Sequence, residues 1–215
     1  MIRITIILLL MTLIPASPLI GGQVDECLTT VTVSCAGMRI TICPAGDFEH
    51  IRYACGGSND FIQVTVRDAA GNPVPGIPRT DYWLQACNPD QELCLCCQPI
   101  LADDITDIFG VAKFCGPIVG GGCVLTDGIY FAVQGHIILT GPACVDPTCL
   151  AIVIVGPDLT ADCAVTLSDL AVFAMTYNLC LGDPGYDPCA DFNDDGCCNL
   201  SDFAFFGAHY QHTCP

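Results

Sequence analysis

The chain has 215 residues and a formal charge of −17, from 23 acidic and 6 basic residues. So few Lys and Arg exclude a nucleic-acid-binding protein, because contacts to phosphates need many of them. A hydrophobic fraction of 52% excludes a disordered chain. Twenty of the acids are Asp, the residue of turns and calcium loops, whereas charged helices would use Glu.

The N-terminus has the pattern of a secretory signal. Arg3 supplies a positive start, residues 4–13 form a short apolar stretch, and small residues follow. This pattern predicts a cleaved signal peptide over residues 1–22, with the cut near Gly22, and therefore a secreted or cell-surface protein. The alternative is an uncleaved anchor that runs to Ile20, although two prolines interrupt it. We expect no membrane span in the mature chain.

All 18 cysteines lie after the predicted signal, and in an exported protein this number predicts disulfides. Twelve fall in residues 23–155 and six in residues 156–215, so each part could be cross-linked internally. The pairs stay open, because six cysteines alone allow about 15 connectivities. Zinc binding is the alternative, suggested by the closely spaced Cys94, Cys96 and Cys97.

Residues 23–155 alternate in hydrophobicity over short stretches that are separated by turn residues. This pattern favours a β-sandwich, in which turn signals recur about every 8–12 residues. The predicted strands are 28–35, 39–43, 61–67, 74–83, 110–114, 129–134, 136–140 and 150–155. The Gly- and Cys-rich stretches 87–105 and 116–127 are predicted to be loops held by disulfides.

Two segments of this region resemble bacterial Ig-like domains of the invasin type. Residues 64–76 (VTVRDAAGNPVPG) are similar to their strand–turn–strand, and residues 106–114 (TDIFGVAKF) to their second signature. The same pattern occurs in carboxypeptidase-regulatory and transthyretin-like sandwiches. The resemblance spans about residues 60–140 and implies that the predicted domain 23–155 is an Ig-like sandwich, which serves as a spacer, stalk or adhesion module.

Residues 191–202 form an Asp-rich loop with oxygen side chains at positions 1, 3, 5, 9 and 12 and glycine at position 6. This spacing wraps one hard cation, and calcium is the expected one. The residues at those positions are Asp191, Asn193, Asp195, Asn199, Asp202 and Gly196.

A second copy of the loop lies upstream, at 158–169. We call this upstream copy loop one and the loop at 191–202 loop two. Eight of twenty positions are identical between 158–177 and 191–210, and they fall on ligand positions and on one face of the following apolar helix. That distribution indicates a duplicated loop–helix unit. The upstream copy departs at Thr160 and at Cys163, which replaces the glycine, so we expect weaker calcium binding there. The alternative is an Asp-rich turn that caps a helix through Ser168 and Asp169.

These two repeats resemble the type I dockerin, a module of two EF-hand-like calcium loop–helix repeats with Asp at position 12. The resemblance covers residues 156–215. It implies a calcium-ligand set that uses side-chain oxygens and the backbone carbonyl of position 7, with position 9 acting directly or through water. That set is Asp191, Asn193, Asp195, Cys197, Asn199 and Asp202 in loop two, and Asp158, Thr160, Asp162, Ala164, Thr166 and Asp169 in loop one.

The dockerin resemblance also implies a protein partner, with a cohesin-like domain as the candidate. Loop positions 10 and 11 bear on partner choice, and here they are Leu167-Ser168 and Leu200-Ser201, the same pair twice. That repetition would suit binding in two orientations. Phe205, next to Phe206, is the helix residue that we expect to face outward. Calcium should also be needed for folding, because residues 158–215 hold nine Asp and no Lys, Arg or Glu.

The expected fold is therefore multidomain, an all-β Ig-like sandwich followed by a small α module. The expected function is a secreted, non-enzymatic, calcium-binding surface or structural protein. One alternative is a cohesin-binding subunit of a polysaccharide-degrading complex, in which Tyr82, Trp83 and Tyr130 could stack on surface polysaccharide. A filament subunit is another. His209 and His212 could touch a metal, but tail histidines are usually solvated.

Overall fold

The computed structural model describes residues 22–47, 50–88, 92–125 and 128–215. The predicted signal peptide therefore lies outside the described residues, apart from Gly22. In the described ranges all strands precede two α-helices, α1 at Leu167–Thr176 and α2 at Leu200–His209. The strands are β1 Thr30–Val33, β2 Arg39–Thr41, β3 Ile62–Thr65, β4 Tyr82–Ala86, β5 Leu93–Leu95, β6 Val111–Phe114, β7 Gly120–Gly122, β8 Ile129–Val133, β9 His136–Ile137, β10 Leu139–Thr140, β11 Asp146–Pro147 and β12 Val153–Val155.

Two three-stranded antiparallel sheets enclose the main core. One has the order β1-β3-β6 and the other β4-β8-β9. Alternate residues of each strand face the core, as in β3, where Ile62 and Val64 are fully buried. The ring of Phe114 in the first sheet lies 4.9 Å from that of Tyr82 and 5.6 Å from that of Phe131 in the second, centroid to centroid. The two sheets therefore pack face to face.

Three two-stranded pairs complete the β region. Strands β2 and β12 run parallel, whereas β5 pairs with β7 and β10 with β11 in antiparallel fashion. The parallel pair brings the start of the β region against its end. Gly156 follows β12 directly, so this pairing also fixes where the helical region (residues 156–215) begins after the β region (residues 22–155).

The predicted strands mostly form, in shortened versions, but one is wrong. The predicted strand over 74–83 has no ladder before Tyr82. Pro75 and Pro78 lack the amide that a ladder needs, and Gly76 adopts a left-handed φ of +83°. The predicted strand over 136–140 is divided into β9 and β10.

The predicted loops at 87–105 and 116–127 are also partly wrong, because β5 and β7 form inside them and pair with each other. Glycine has little strand preference, so a run of three glycines gives no strand signal in the sequence. The tight approach explains why these positions are glycine. A Cβ on Gly122 would collide with the carbonyl oxygen of Glu92 on the partner segment.

The aromatic residues considered for sugar stacking do not act as one set. Tyr82 is buried and belongs to the core between the two sheets. Trp83 is 42% exposed and faces away from that core, where Tyr130 donates a hydrogen bond to Gln85 on the neighbouring strand at 2.8 Å. Only two of the three aromatic side chains are thus available on the outer face.

The two segments that resemble Ig-like domains contact each other. The amide of Val66 donates to the carbonyl of Gly110 at 2.8 Å. Gly110 adopts φ +73°, and a Cβ there would meet the carbonyl oxygen of Val66. The buried hydroxyl of Thr106 accepts from the amide of Ile77 at 2.8 Å and donates to the carbonyl of Val74 at 2.9 Å.

Seven disulfides form among the described residues, and three of them join the β region to the helical region. The joining pairs are Cys94–Cys163, Cys96–Cys214 and Cys123–Cys189. The internal pairs are Cys27–Cys144, Cys35–Cys55, Cys87–Cys149 and Cys180–Cys197. Cross-linking inside each part, which the even cysteine counts allowed, is therefore wrong for half of the cysteines of 156–215. Cys43, Cys97, Cys115 and Cys198 are unpaired.

The helical region has a small core of its own, which explains these cross-links. Its buried apolar cluster comprises Val165, Phe173, Ala190, Phe192, Cys198 and Phe206. So few residues rarely stabilise an independent fold, and disulfides are a usual supplement. The domain boundary at 155/156 stays a prediction, and the segments on its two sides are covalently tied.

Replacing Thr106 by Val should lower the free energy of unfolding by about 1–3 kcal/mol, because it leaves a buried amide and carbonyl without their partner. Denaturant unfolding of the oxidised chain measures this loss. Thr80→Val is the matched control, since Thr80 is exposed and its hydroxyl donates to the side chain of the adjacent Asp81. Equal stability of the two variants would contradict a structural role for the Thr106 turn.

Candidate metal centres

Loop two folds so that its carboxylates converge. One oxygen each from Asp191, Asp195 and Asp202 lies within 4.8 Å of the other two. Backbone amides hold them in place, because Asp191 accepts from the amides of Asp195 at 3.2 Å and Gly196 at 2.9 Å. Asp202 accepts from the amide of Asn199 at 2.9 Å. The loop therefore wraps its own acids by means of main-chain donors.

Loop one repeats this arrangement. One oxygen each from Asp158, Asp162 and Asp169 lies within 4.8 Å of the others. Asp158 accepts from the amides of Asp162 at 3.1 Å and Cys163 at 2.9 Å, and Asp169 from that of Thr166 at 2.7 Å. Each of these bonds has its counterpart at the equivalent position of loop two. The duplication seen in the sequence is thus matched by the hydrogen bonds.

The two loop–helix repeats are related by approximate two-fold symmetry. Each loop pairs with the segment that follows the other helix, since Val165 donates to His212 at 2.8 Å and Cys198 to Leu179 at 2.9 Å, amide to carbonyl. Left-handed backbone occurs at three pairs of equivalent positions. These are Ala161 and Asp194, Cys163 and Gly196, and Asn178 and Gln211.

The carboxylates at positions 1 and 12 of each loop are buried. Asp158, Asp169 and Asp202 have no exposed surface, and Asp191 is 1% exposed. Among the described residues, none of the ion pairs reaches these four acids. Burial, together with the charges of Asp169 and Asp162, raises the pKa of Asp158 to about 6. Buried charges are normally paired or bound to a metal, so both clusters fit a hard divalent cation.

The remaining predicted ligands of loop two lie next to Asp195 and form hydrogen bonds with it. Asn193 accepts from the amide of Asp195 at 3.1 Å, and the carbonyl of Cys197 accepts from the side chain of Asn199 at 3.2 Å. The side-chain oxygen of Asn199 accepts from the amide of Ser201 at 2.8 Å and so caps α2. A contribution of Asn199 through water is compatible with this cap.

In loop one the two substituted positions form contacts of their own. Cys163 adopts φ +68°, a conformation that costs energy for an L-residue, and its sulfur is bonded to Cys94 of β5. The hydroxyl of Thr160 donates to Asp169 at 2.9 Å. The amide of Ala164 donates to Asp162 at 3.1 Å, as that of Cys197 does to Asp195 in loop two at 3.0 Å.

The helix-capping alternative describes part of both loops. Thr166 caps α1 and Asn199 caps α2, and the position-12 acids Asp169 and Asp202 complete a capping box in each case. A capping turn therefore does not distinguish loop one from loop two. It explains one oxygen of each position-12 acid but not the convergence of three carboxylates.

Arg39 of β2 holds loop two against the β region, a contact that no pattern in the sequence indicates. Its guanidinium contacts the carbonyl oxygen of Asp191 and lies 3.3 Å from the carboxylate of Asp194. Loop one meets the β region differently. The amide of Gly122 donates to the carbonyl of Asp158 at 2.8 Å, and a side chain on Gly121 would collide with the Asp158 carboxylate.

The two Leu-Ser pairs at loop positions 10 and 11 lie on the surface. Leu167 is 66% and Leu200 67% exposed, and Ser168 and Ser201 are exposed as well. A shallow cleft between the helices adjoins them. It is lined by Leu170, Phe173, Ala174, Tyr177, Leu200 and Phe203.

Two sequence-based expectations about α2 are wrong. Phe205 does not face outward but is half-buried, stacked on Phe192 at 5.0 Å and against the ring of His209 at 5.0 Å. Phe203 is the exposed ring of this helix, at 43%. His209 is buried rather than solvated, because α2 turns it toward the β region.

No family model and no curated protein match this chain. The solved structures similar to it include two type II cohesin–X–dockerin complexes from Acetivibrio cellulolyticus with interface mutations. The C-terminal interface mutant has 15% identity and a TM-score of 0.28, covering 83% of this chain and 97% of that one. The N-terminal interface mutant has 14% identity and a TM-score of 0.29, covering 86% and 96%. At these TM-scores neither similarity defines the fold of this chain.

Among the described residues, no helix has the length and apolar character required to cross a membrane.

In chelator, the stability of the chain should fall as the pH rises from 4 to 7 through the contribution of Asp158. Its pKa of about 6 in the fold exceeds the ordinary 3.8, so the folded state binds the extra proton. This stabilisation is complete below pH ~4 and lost as the pH rises through ~6, at about 1–3 kcal/mol. Asp158→Asn should remove it, whereas Asp146→Asn, at an exposed acid, should not. Parallel pH profiles of wild type and Asp158→Asn would contradict a buried acid.

Proposed function

We propose that this is a secreted, non-enzymatic, calcium-stabilised surface or structural protein that attaches to a protein partner through a dockerin-like module. The observation that carries the proposal is the repeated cluster of three carboxylates with the same main-chain donors in both loops. One such cluster could be a turn, but two copies with matching left-handed positions favour a duplicated calcium unit.

Electrostatics supports calcium as the bound ion. The ligand atoms offered by the two loops are oxygens, and nine Asp with no Lys, Arg or Glu in 158–215 repel one another without a cation. Oxygen ligands of this number and charge suit calcium better than the softer metals. Among the described residues, Arg39 is the cation that pairs with loop two, at Asp194. Calcium would supply the positive charge that the other acids lack, and folding of the helical region would depend on calcium.

The exposed Leu-Ser pairs support an assembly role. Both lie at equivalent helix starts of the two repeats and are exposed, and Leu200 also lines the apolar cleft with Tyr177 and Phe203. An apolar surface on a small helical region favours a protein partner. The partner would be cohesin-like, and either repeat could occupy its site.

The β region would act as the spacer or stalk of this assembly, with an Ig-like sandwich as its fold. The contact between the two Ig-like segments, through Val66, Gly110 and Thr106, supports that interpretation. Seven disulfides suit an extracellular setting, where thiols are oxidised.

A thiol, an imidazole and a carboxylate meet at Cys43, His212 and Asp47, as they do in cysteine hydrolases. Their geometry does not suit catalysis, which supports the non-enzymatic part of the proposal. Cys43 and Asp47 both approach Nδ1 of His212, each at 3.4 Å. A nucleophile relay would need the thiol and the acid on different ring nitrogens. Burial also raises the pKa of the Cys43 thiol to about 12, so without a bound metal the thiol stays neutral and is a poor nucleophile.

Calcium titration calorimetry on the oxidised full chain tests the metal. The full chain is needed because three disulfides tie the helical region to the strands. We expect two ions, with loop two the tighter and loop one as weak as ~10⁻⁴ to 10⁻³ M. At about 100 times the dissociation constant, each ion should stabilise the fold by about 2.7 kcal/mol.

Asp202→Ala and Asp169→Ala should each remove one ion, whereas Asp146→Ala should remove none. If the wild-type chain binds only one ion and Asp202→Ala abolishes it, loop one is only a helix cap and two-way attachment loses its basis. No calcium heat, with melting curves identical in calcium and chelator, would overturn the proposal.

Surface plasmon resonance with isolated type I and type II cohesin domains as probes tests the partner. In calcium, Leu167→Asp and Leu200→Asp should each retain binding, because the other repeat can still dock. The double variant should lose at least about 100-fold in affinity, since an acidic group cannot be buried unpaired. Leu181→Asp, at an exposed leucine outside both helices, is the control. Absence of calcium-dependent binding to every cohesin would contradict a cohesin-like partner.

A further inference from the structure

A second kind of metal-ligand cluster joins the β region to the end of the chain. It comprises Cys43, Asp47, His209 and His212, whose Sγ, carboxylate oxygen and ring nitrogens all lie within 4.8 Å of one another. None of the four belongs to the calcium loops. Cys43 and Asp47 follow β2, whereas the two histidines lie at the end of α2 and just beyond it, so only the tertiary fold brings the two pairs together.

The spacing of these atoms matches the edges of a small coordination tetrahedron. Cys43 Sγ lies 3.4 Å from Nδ1 of His212, and Asp47 Oδ1 lies 3.4 Å from Nδ1 of His212 and 3.6 Å from Nδ1 of His209. A tetrahedral zinc site with the usual bond lengths has N···O edges of about 3.4 Å and S···N edges of about 3.6 Å. These three distances are therefore close to those between ligands of one zinc ion, and the other pairs of ligand atoms lie within 4.8 Å of one another.

We propose that Cys43, Asp47, His209 and His212 form a binding site for one divalent transition-metal ion, with Zn²⁺ as the best match. A thiolate, two imidazoles and a carboxylate are the ligand types that zinc takes in closed four-coordinate sites. Calcium does not compete, because it prefers oxygen ligands alone. The site is chemically distinct from both Asp-rich loops and shares no ligand with them.

The backbone on each side is shaped to present the four ligands. Gly46 adopts φ +71°, and its amide donates to the carbonyl of Cys43 at 2.9 Å, so the chain turns back and brings Asp47 beside the thiol. On the other side, His209 ends α2 and Gln211 adopts φ +70°, which returns His212 toward His209. The amide of His212 donates to the carbonyl of His209 at 3.0 Å.

The surroundings support a stable site with a path for the ion. Cys43 is fully buried and His209 is 7% exposed, whereas Asp47 is exposed and leaves the site open on one side. The Cys96–Cys214 disulfide fixes the chain just beyond His212, and Cys96 lies against Pro44, next to Cys43. Both halves of the site are therefore anchored to the same disulfide.

The ion would act as a fourth cross-link between strands and helices. The carbonyl of His212 accepts from the amide of Val165, within loop one, at 2.8 Å. A metal bound to His212 would thus restrain the backbone of loop one, where the ligand set for calcium is weaker. It would also keep the Cys43 thiol out of disulfide exchange in an oxidising compartment.

The test uses the oxidised full chain, freed of metals and then saturated with Ca²⁺ so that the Asp-rich loops do not take up the probe. Zn²⁺ is titrated calorimetrically, and Co²⁺ is added separately because a tetrahedral cobalt–thiolate site absorbs in the near-ultraviolet and visible. We expect one Zn²⁺ per chain, one Co²⁺ with thiolate charge transfer, and a higher melting temperature with Zn²⁺.

Cys43→Ala should abolish the cobalt–thiolate absorption, and His212→Asn should lower Zn²⁺ affinity by at least about 100-fold, since even outer-shell changes cost about 10–100-fold. Asp47→Asn, at an exposed position that should tolerate the change, provides a third variant. Cys115→Ala, another unpaired cysteine, and His136→Asn are the matched controls. Calcium binding by each variant reports that it is folded.

Two results would overturn the proposal. One is the absence of stoichiometric Zn²⁺ binding by the wild-type chain. The other is Zn²⁺ binding whose affinity is the same in Cys43→Ala, His212→Asn and Asp47→Asn as in the controls. Neither result would touch the calcium proposal, because the calcium ligands are unchanged in all of these variants.

Discussion

The helical region depends on how four carboxylates are kept out of water at the ends of the two Asp-rich loops. Each is met by main-chain amides, which fixes the path of the loop around it. The position-12 acids also form the capping boxes of α1 and α2, so helix starts and acid clusters are one structure. Loss of a cation would leave the caps but also the repulsion between the acids.

A region built around charge has little apolar core, and that explains how it is attached. Six buried apolar residues cannot balance the entropy of ordering the whole of 156–215. The stabilisation comes from elsewhere, through three disulfides into the β region and through Arg39, whose guanidinium meets the rim of loop two. The β region therefore stabilises the helical region by anchoring it.

The features that could be predicted are those encoded by local spacing. The Asp positions, the repetition of the loop and the helix starts follow from neighbours in sequence, and so do strands such as β3 and β8. The features that were missed depend on contacts between distant residues. The pairing of β5 with β7, the cross-links between the two regions and the contact of Arg39 with Asp191 leave no periodic signal. The position of Phe205 next to Phe206 predicts an outward-facing ring, but Phe192 and the ring of His209 cover it.

The two repeats share a backbone but not their surroundings, and this bears on whether both could dock to a partner. Loop one is bonded to β5 and packs on Gly121, while loop two contacts Arg39. If the β region screened one repeat, attachment would have a single orientation. Leu167 and Leu200 are almost equally exposed, at 66% and 67%, so the strands cover neither. The asymmetry is confined to the sides of the loops that face the β region, and the symmetric surface is left open to a partner.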